Sequence, residues 1–468
     1  MKCLLQSVLL ACVAMTGTST FAAEPQPNDV QVLREELNEL RNEYETRIAD
    51  LERRLNVAEQ SAREANNAAE LAQNEAREAK EEAASSALSA PASRASGVSV
   101  APDNSFNPAI GVIFQGQAWA YGEDPESYAV PGFPLGGEAG PVPEGFSLAE
   151  TELNISANVD DKFTAWLTLP VVYEDGEAAV EIEEAWVETL ALPAGLSLRL
   201  GRSYSNIGYL NNQHSHSWDF TDQPLPYQAF LGGQYLDDGL QLRWLAPTPV
   251  YLELSGELVR GDRYPAGGAV NSGVGAYTLS ARSGGDVGIS HSWLAGFSWL
   301  HAEAEGRESG DEDDPLGFDG ETDLYIASFV WKWAPYGNWR ERNFKLQAEY
   351  LWRDEDGDYA LPDGFAAPWR VSQRGWYVQA VFQPFPQWRF GARIDQLETD
   401  LPSAHWVDTP LFPGSGDPKR YSMMVDWSNS EFSRLRFQYN RDESAAYDDD
   451  QFGLQYIHSI GAHGAHTF

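Results

Sequence analysis

The chain has 468 residues and a formal net charge of −38, which excludes a role built on neutralising nucleic-acid phosphates. Its two cysteines, Cys3 and Cys12, lie near the start, so the remainder can form neither a disulfide nor a thiolate metal site. Past a short opening run, no stretch approaches the roughly 20 apolar residues of a transmembrane helix, yet tryptophan is abundant, with 16 residues, and favours membrane interfaces.

Residues 1–22 read as a secretory signal, with Lys2 ahead of an apolar run from Leu4 to Ala14 and small residues at Thr20 and Ala22 before the expected cleavage site. Residues 28–85 read as a coiled coil. Leu33, Leu37, Leu40, Tyr44, Ile48, Leu51 and Leu55 are followed by alanines from Ala58 to Ala83 at alternating three- and four-residue spacings, with one extra step of four between Tyr44 and Ile48. The pattern predicts an oligomerising rod of about 75–80 Å. Residues 86–106, rich in Ala, Ser and Pro, read as a flexible linker.

From Asn107 onward the period changes from helical to two. In Phe432–Asn440, Leu435, Phe437 and Tyr439 alternate with Arg434, Arg436, Gln438 and Asn440, the pattern of a strand with one apolar and one polar face. Sixteen segments read this way. Apolar faces include Ile110, Val112 and Phe114; Phe163, Ala165, Leu167 and Leu169; Phe344, Leu346, Ala348, Tyr350 and Trp352; Trp376, Val378, Ala380 and Phe382; and Tyr421, Met423, Val425 and Trp427. Short turns, such as Asp160-Asp161 and Pro384-Phe385-Pro386, alternate with longer connections at 122–147, 174–177, 203–236, 261–273, 305–321, 354–371, 399–418 and 442–450. Residues 107–468 are therefore expected to be an all-β transmembrane barrel of 16 antiparallel strands, apolar residues toward lipid and polar residues toward a wet lumen, with the long loops on one side. The fourth strand departs from this pattern. Val180, Ile182 and Trp186 share a face with Glu184, which predicts contact with another subunit rather than lipid.

On the lumen face the alternation places Arg199, Arg243, Arg389, Arg393, Arg434 and Arg436, and opposite them Glu253, Glu257, Asp395 and Asp426, together with Glu152, Glu181 and Glu183. Facing walls of opposite charge set a transverse field across a pore. Acid runs at 311–314 and 448–450 fall in the predicted outer loops, where divalent cations can bridge them to lipopolysaccharide phosphates.

A signal, a coiled coil, a linker and a sixteen-strand barrel ending in Phe468 resemble the trimeric Gram-negative porins, most closely the phosphate-selective porin O/P-like group. The resemblance implies a homotrimer in the cell outer membrane, passive diffusion of small hydrophilic solutes or ions, and a third loop, Ser203 to Leu236, folded into the lumen as the constriction. The mixed lumen and acidic mouth depart from phosphate selectivity and predict weak cation preference or poor selectivity. In the third loop, His214 and His216 are spaced to reach one zinc ion, with Asp219 or Asp222 to complete a site. That pair carries the alternative reading, a zinc-related uptake receptor, although no plug domain precedes the barrel. Neither His214-Ser215 nor His291-Ser292 sits in a nucleophile motif, so no enzyme activity and no obligatory cofactor are expected. A tether from barrel to peptidoglycan through the coiled coil is compatible with a porin.

Overall fold

The computed structural model describes residues 108–461, apart from 138, 175–176, 269–272, 312 and 415. The predicted signal, coiled coil and linker, together with His463, His466 and Phe468, lie outside the described residues.

Nineteen paired segments form one sheet that closes on itself. One of them, Gly267–Gly268, lies in a loop, and two wall strands are each interrupted, which leaves sixteen wall strands. They are β1 (Ala109–Ala120), β2 (Gly145–Leu148 and Thr151–Asn158), β3 (Phe163–Glu174), β4 (Glu177–Val180 and Glu184–Thr189), β5 (Leu196–Tyr204), β6 (Leu236–Leu245), β7 (Tyr251–Val259), β8 (Ala276–Val287), β9 (His291–Ser309), β10 (Leu316–Trp333), β11 (Asn343–Ala360), β12 (Ala366–Phe385), β13 (Trp388–Thr399), β14 (Lys419–Ser430), β15 (Ser433–Glu443) and β16 (Asp449–Gly461). Every neighbouring pair in the wall is antiparallel, and β1 pairs with β16 from Gly111↔Gly461 to Ala120↔Phe452. Closure satisfies every strand edge internally, the condition for a sheet to cross lipid. Among the described residues no helix is long and apolar enough to cross a membrane.

The outer face follows the predicted alternation. Ile110, Phe114, Phe163, Tyr350, Trp352, Val378, Phe382, Tyr421, Met423 and Trp427 are all exposed. Two aromatic belts mark the ends of this apolar zone. Trp331 packs on Phe344 at 5.6 Å near the short turns, and Tyr325 on Trp352 at 6.1 Å further up the same strands. The nine residues from Phe344 to Trp352 span about 26 Å of strand, or roughly 20 Å across a barrel wall tilted by about 40°. Beyond Trp352 the same outward face turns charged, with Asp356 paired to Arg370. The strands β9 to β12, of 19, 18, 18 and 20 residues, are about twice the 9–11 residues needed to cross a bilayer. They carry the barrel on past the apolar zone on the long-loop side.

Two expectations change. Where a longer connection is expected, β3 ends at Glu174 and β4 begins at Glu177. In β4, Val180 pairs with Val171 but Glu184 pairs with Thr168, a slip of one residue. The extra residue is a β-bulge, which inverts the facing of everything after it. Val180 and Ile182 face out at 66% and 49% exposure, whereas Glu183 and Glu184 are buried at 7% and 6%. Trp186 stacks on the inner-face Trp166 at 6.1 Å. No carboxylate is left in lipid, so the expectation that this face meets another subunit is withdrawn.

Candidate functional site

The wall is apolar on part of its inner face as well. Leu300, Leu324, Ile326, Leu351, Tyr377 and Leu397 point inward and are buried at 0% exposure. They form a core with the segment joining β5 to β6, residues 205–235 and hereafter loop 3, which carries Ile207, Leu210 and the short helix α1 (Leu225–Leu231). Every residue of α1 is buried. The loop therefore folds into the lumen and fixes itself there by hydrophobic burial, with buried apolar surface contributing about 25 cal/mol per Å². Close approach needs glycine on both sides. Gly208 has φ +58°, and a Cβ there would sit 2.5 Å from the Tyr227 hydroxyl and 2.7 Å from Glu349 Oε1. A Cβ at Gly375 on the wall would lie 2.9 Å from Pro226.

Glu349 is the polar anchor within this core. Its Oε1 accepts the Tyr209 amide at 2.6 Å, its Oε2 accepts the Leu210 amide at 3.3 Å and the Tyr227 hydroxyl at 3.0 Å, and the Tyr377 hydroxyl also donates to it. A buried carboxylate with several donors is stabilised where an unpaired one would be costly.

Across the lumen, loop 3 matches the sign of each wall it touches. His214 and His216 meet the acids of β2 and β4: His216 Nδ1 is 2.7 Å from Glu152 and His214 Nε2 is 3.1 Å from Glu184. A few residues on, Asp219 and Asp222 meet the cations of β11, β13 and β14. Asp219 takes Lys345 at 3.0 Å and Arg389 at 2.9 Å, and Asp222 takes Arg393 at 2.9 Å and Arg420 at 3.1 Å. Burial alone would raise the pKa of each aspartate. Lys345 and Arg389 hold Asp219, and Arg393 and Arg420 hold Asp222, below the ordinary carboxylate value. Burial likewise opposes charge on His214, but the neighbouring carboxylates of Glu152, Glu183 and Glu184 outweigh it and raise its pKa.

Several of the residues expected to line the pore are buried. Arg393, Arg436, Asp395, Asp426 and Glu257 are almost wholly buried, at 1%, 0%, 0%, 1% and 4% exposure. Arg393, Arg436, Asp395 and Glu257 hold loop 3, and Asp426 holds wall arginines beside it. Asp395 accepts the Leu225 amide at 3.2 Å, Arg436 donates to the Trp218 carbonyl at 2.7 Å, and Glu257 accepts the Asn206 amide at 2.7 Å. Asp426 takes Arg389 at 2.5 Å. Glu253 accepts from Asn206 Nδ2 at 3.0 Å, and Arg434 donates to the His216 carbonyl. Arg199, Arg243, Arg389 and Arg434 keep side-chain exposures of 17%, 27%, 23% and 18%. Arg199 and Arg243 share Glu188. These four arginines lie toward the short-turn ends of their strands, as do Lys332 and Lys345. Asp219 and Asp222, engaged with wall cations, are not available to complete a site with His214. Glu152 and Glu183 lie beside His214 instead.

A cavity of about 780 Å³ opens between loop 3, residues 137–150 and the inner faces of β1 and β16. Glu150 and Asp222 supply its acids, and Arg263 and Arg420 its bases. Sequence reasoning did not single out Glu150, Arg263, Glu349 or Arg420. The available signal was phase: Arg420 shares the inner face of β14 with Ser422 and Asp426, and Glu349 shares that of β11 with Gln347.

No protein-family model matches the chain. Solved structures of similar fold include the outer membrane channel DcaP of Acinetobacter baumannii, 13% identical, covering 75% of this chain and 96% of that one with a TM-score of 0.48. A loop L8 deletion mutant of OmpT, an outer membrane protein of Vibrio cholerae, is 9% identical, covering 75% and 100% with a TM-score of 0.45. The anion-selective porin of Comamonas acidovorans is 9% identical, covering 75% and 98% with a TM-score of 0.44. An uncharacterized protein of Aquifex aeolicus is 30% identical over 341 residues, which span 69% of this chain and 70% of that protein. Identity of that level over that span is family membership: the chain belongs to the family of this Aquifex aeolicus protein.

Proposed function

We propose that the protein is an outer-membrane porin through which small hydrophilic solutes and ions diffuse passively, filtered by loop 3 and the charged groups beside it. The observation that carries this reading is a closed barrel, apolar outside and polar within, whose inward loop leaves a cavity of about 780 Å³ bordered by both acids and bases. A passage with mixed lining orients dipolar solutes and discriminates little between ions of opposite sign. Weak selectivity follows, in contrast to the strong anion preference that a phosphate channel of the O/P-like group would have. The functional unit is a homotrimer in the outer membrane. No observation favours the receptor alternative.

Solute entry into proteoliposomes tests the reading. Vesicles containing the folded protein are expected to swell in monosaccharides and small amino acids and to resist swelling in larger oligosaccharides. Absence of swelling with every solute, from protein whose barrel is intact, would contradict it.

A further inference from the structure

Where loop 3 meets the β2–β4 wall, four carboxylates (Glu150, Glu152, Glu183 and Glu184) gather around His214 and His216. Glu152, Glu183 and Glu184 are at most 7% exposed. Most atoms of the cluster are spoken for. The Tyr204 hydroxyl donates to Glu183 Oε1, Asn154 Nδ2 donates to Glu152 Oε2 at 3.2 Å, and Ser215 donates to Glu150 at 2.6 Å. Two buried atoms have no hydrogen-bond partner: Glu183 Oε2 and His214 Nδ1. They lie 3.3 Å apart, and Glu152 Oε2 is 3.6 Å from the same nitrogen.

We propose that Glu152, Glu183 and His214 bind a divalent cation of the zinc class, which pins loop 3 to the β2–β4 wall. Three observations support it. Tetrahedral zinc with bonds of about 2.0–2.2 Å holds its ligand atoms roughly 3.3–3.6 Å apart, which are the two separations from His214 Nδ1, and all three ligand atoms lie within 4.8 Å of one another. The outer shell is also in place. His214 presents its second nitrogen, Nε2, to Glu184 at 3.1 Å, the carboxylate–histidine pairing that orients a metal-bound imidazole. Finally, the charge calls for a cation. A divalent ion offsets two of the buried carboxylates and also uses the two unpartnered atoms. The β4 bulge makes the site, because it turns the consecutive residues Glu183 and Glu184 to the same side of the strand. His216 stays outside the coordination sphere, holding Glu152 Oε1 at 2.7 Å.

The test uses the purified full chain, stripped with EDTA, equilibrated with zinc and freed of excess metal. Elemental mass spectrometry is expected to find stoichiometric zinc. Calorimetry is expected to find affinity reduced by at least about 100-fold in His214→Ala and Glu183→Gln, and by about 10–100-fold in Glu184→Gln. Heat-modifiable gel migration checks that each variant forms the barrel. Substoichiometric zinc in the wild-type protein would overturn the proposal without reference to any variant. So would wild-type affinity retained in His214→Ala and Glu183→Gln, which would place the zinc elsewhere, for instance at His458.

Discussion

Asp222→Ala is expected to raise single-channel conductance about twofold or more and to add current noise, while the barrel stays closed. Asp222 is the densest contact between loop 3 and the basic wall. Its carboxylate accepts from Arg393 at 2.9 Å, Gln438 at 2.6 Å, Arg420 at 3.1 Å and Asn440 at 3.1 Å. Its removal deprives Arg393 and Arg420, at 1% and 5% side-chain exposure, of a shared anion. Breaking a buried pair from one side costs about 3–5 kcal/mol. Asp395 and Asp442 still contact the two arginines, at 2.9 Å and 2.7 Å, so about 3 kcal/mol is the better figure here. The apolar core around α1 lies on the far side of Asp222 from the histidines, so the segment between is released rather than the whole loop. Planar-bilayer recording of the variant beside wild type checks this. Unchanged conductance and noise would mean that loop 3 is not held through Asp222.

The second large effect concerns the outer wall. Phe329 lies on the outward face of β10, 43% exposed, between the belt at Trp331 and that at Tyr325. Phe329→Arg puts a guanidinium near the middle of the apolar zone, where arginine costs roughly 2–4 kcal/mol in a bilayer-embedded barrel. Glu303→Arg, on the outward face of β9 beyond the belt, is expected to cost close to nothing because water already reaches that height. Denaturant unfolding from lipid vesicles, followed by tryptophan fluorescence, compares the two. Equal destabilisation would mean that the belts do not mark the membrane boundaries.

The barrel was legible because its outer face repeats a simple rule. Phe344, Leu346, Ala348, Tyr350 and Trp352 alternate with Lys345, Gln347 and Glu349, and sixteen such stretches with alternating turn lengths leave little freedom of topology. The single slip in β4 escaped because a bulge leaves no mark in composition. The Glu184 anomaly is its only trace, and on the sequence alone it reads as a subunit contact. The lumen was harder to read. Leu300, Leu324, Ile326 and Leu351 sit in phase with the polar face, and apolar residues there signal that something covers the wall. The arginines and acids in the same phase read as pore lining because nothing in the sequence says which part of the wall loop 3 covers. The cluster of Glu152, Glu183 and His214 joins positions far apart in sequence, so the histidines were visible but their partners were not. Asp219 and Asp222, the nearer candidates, are held by wall cations instead.

The central claim is that this closed barrel conducts despite the loop across its lumen. The most direct measurement is single-channel recording of the purified wild-type protein in a planar bilayer under a salt gradient. Stable open steps, grouped in threes, with a reversal potential close to zero and at most mildly cation-selective, are the predicted result. Folded, membrane-inserted protein that passes no current, or a reversal potential showing strong anion selectivity, would contradict the account.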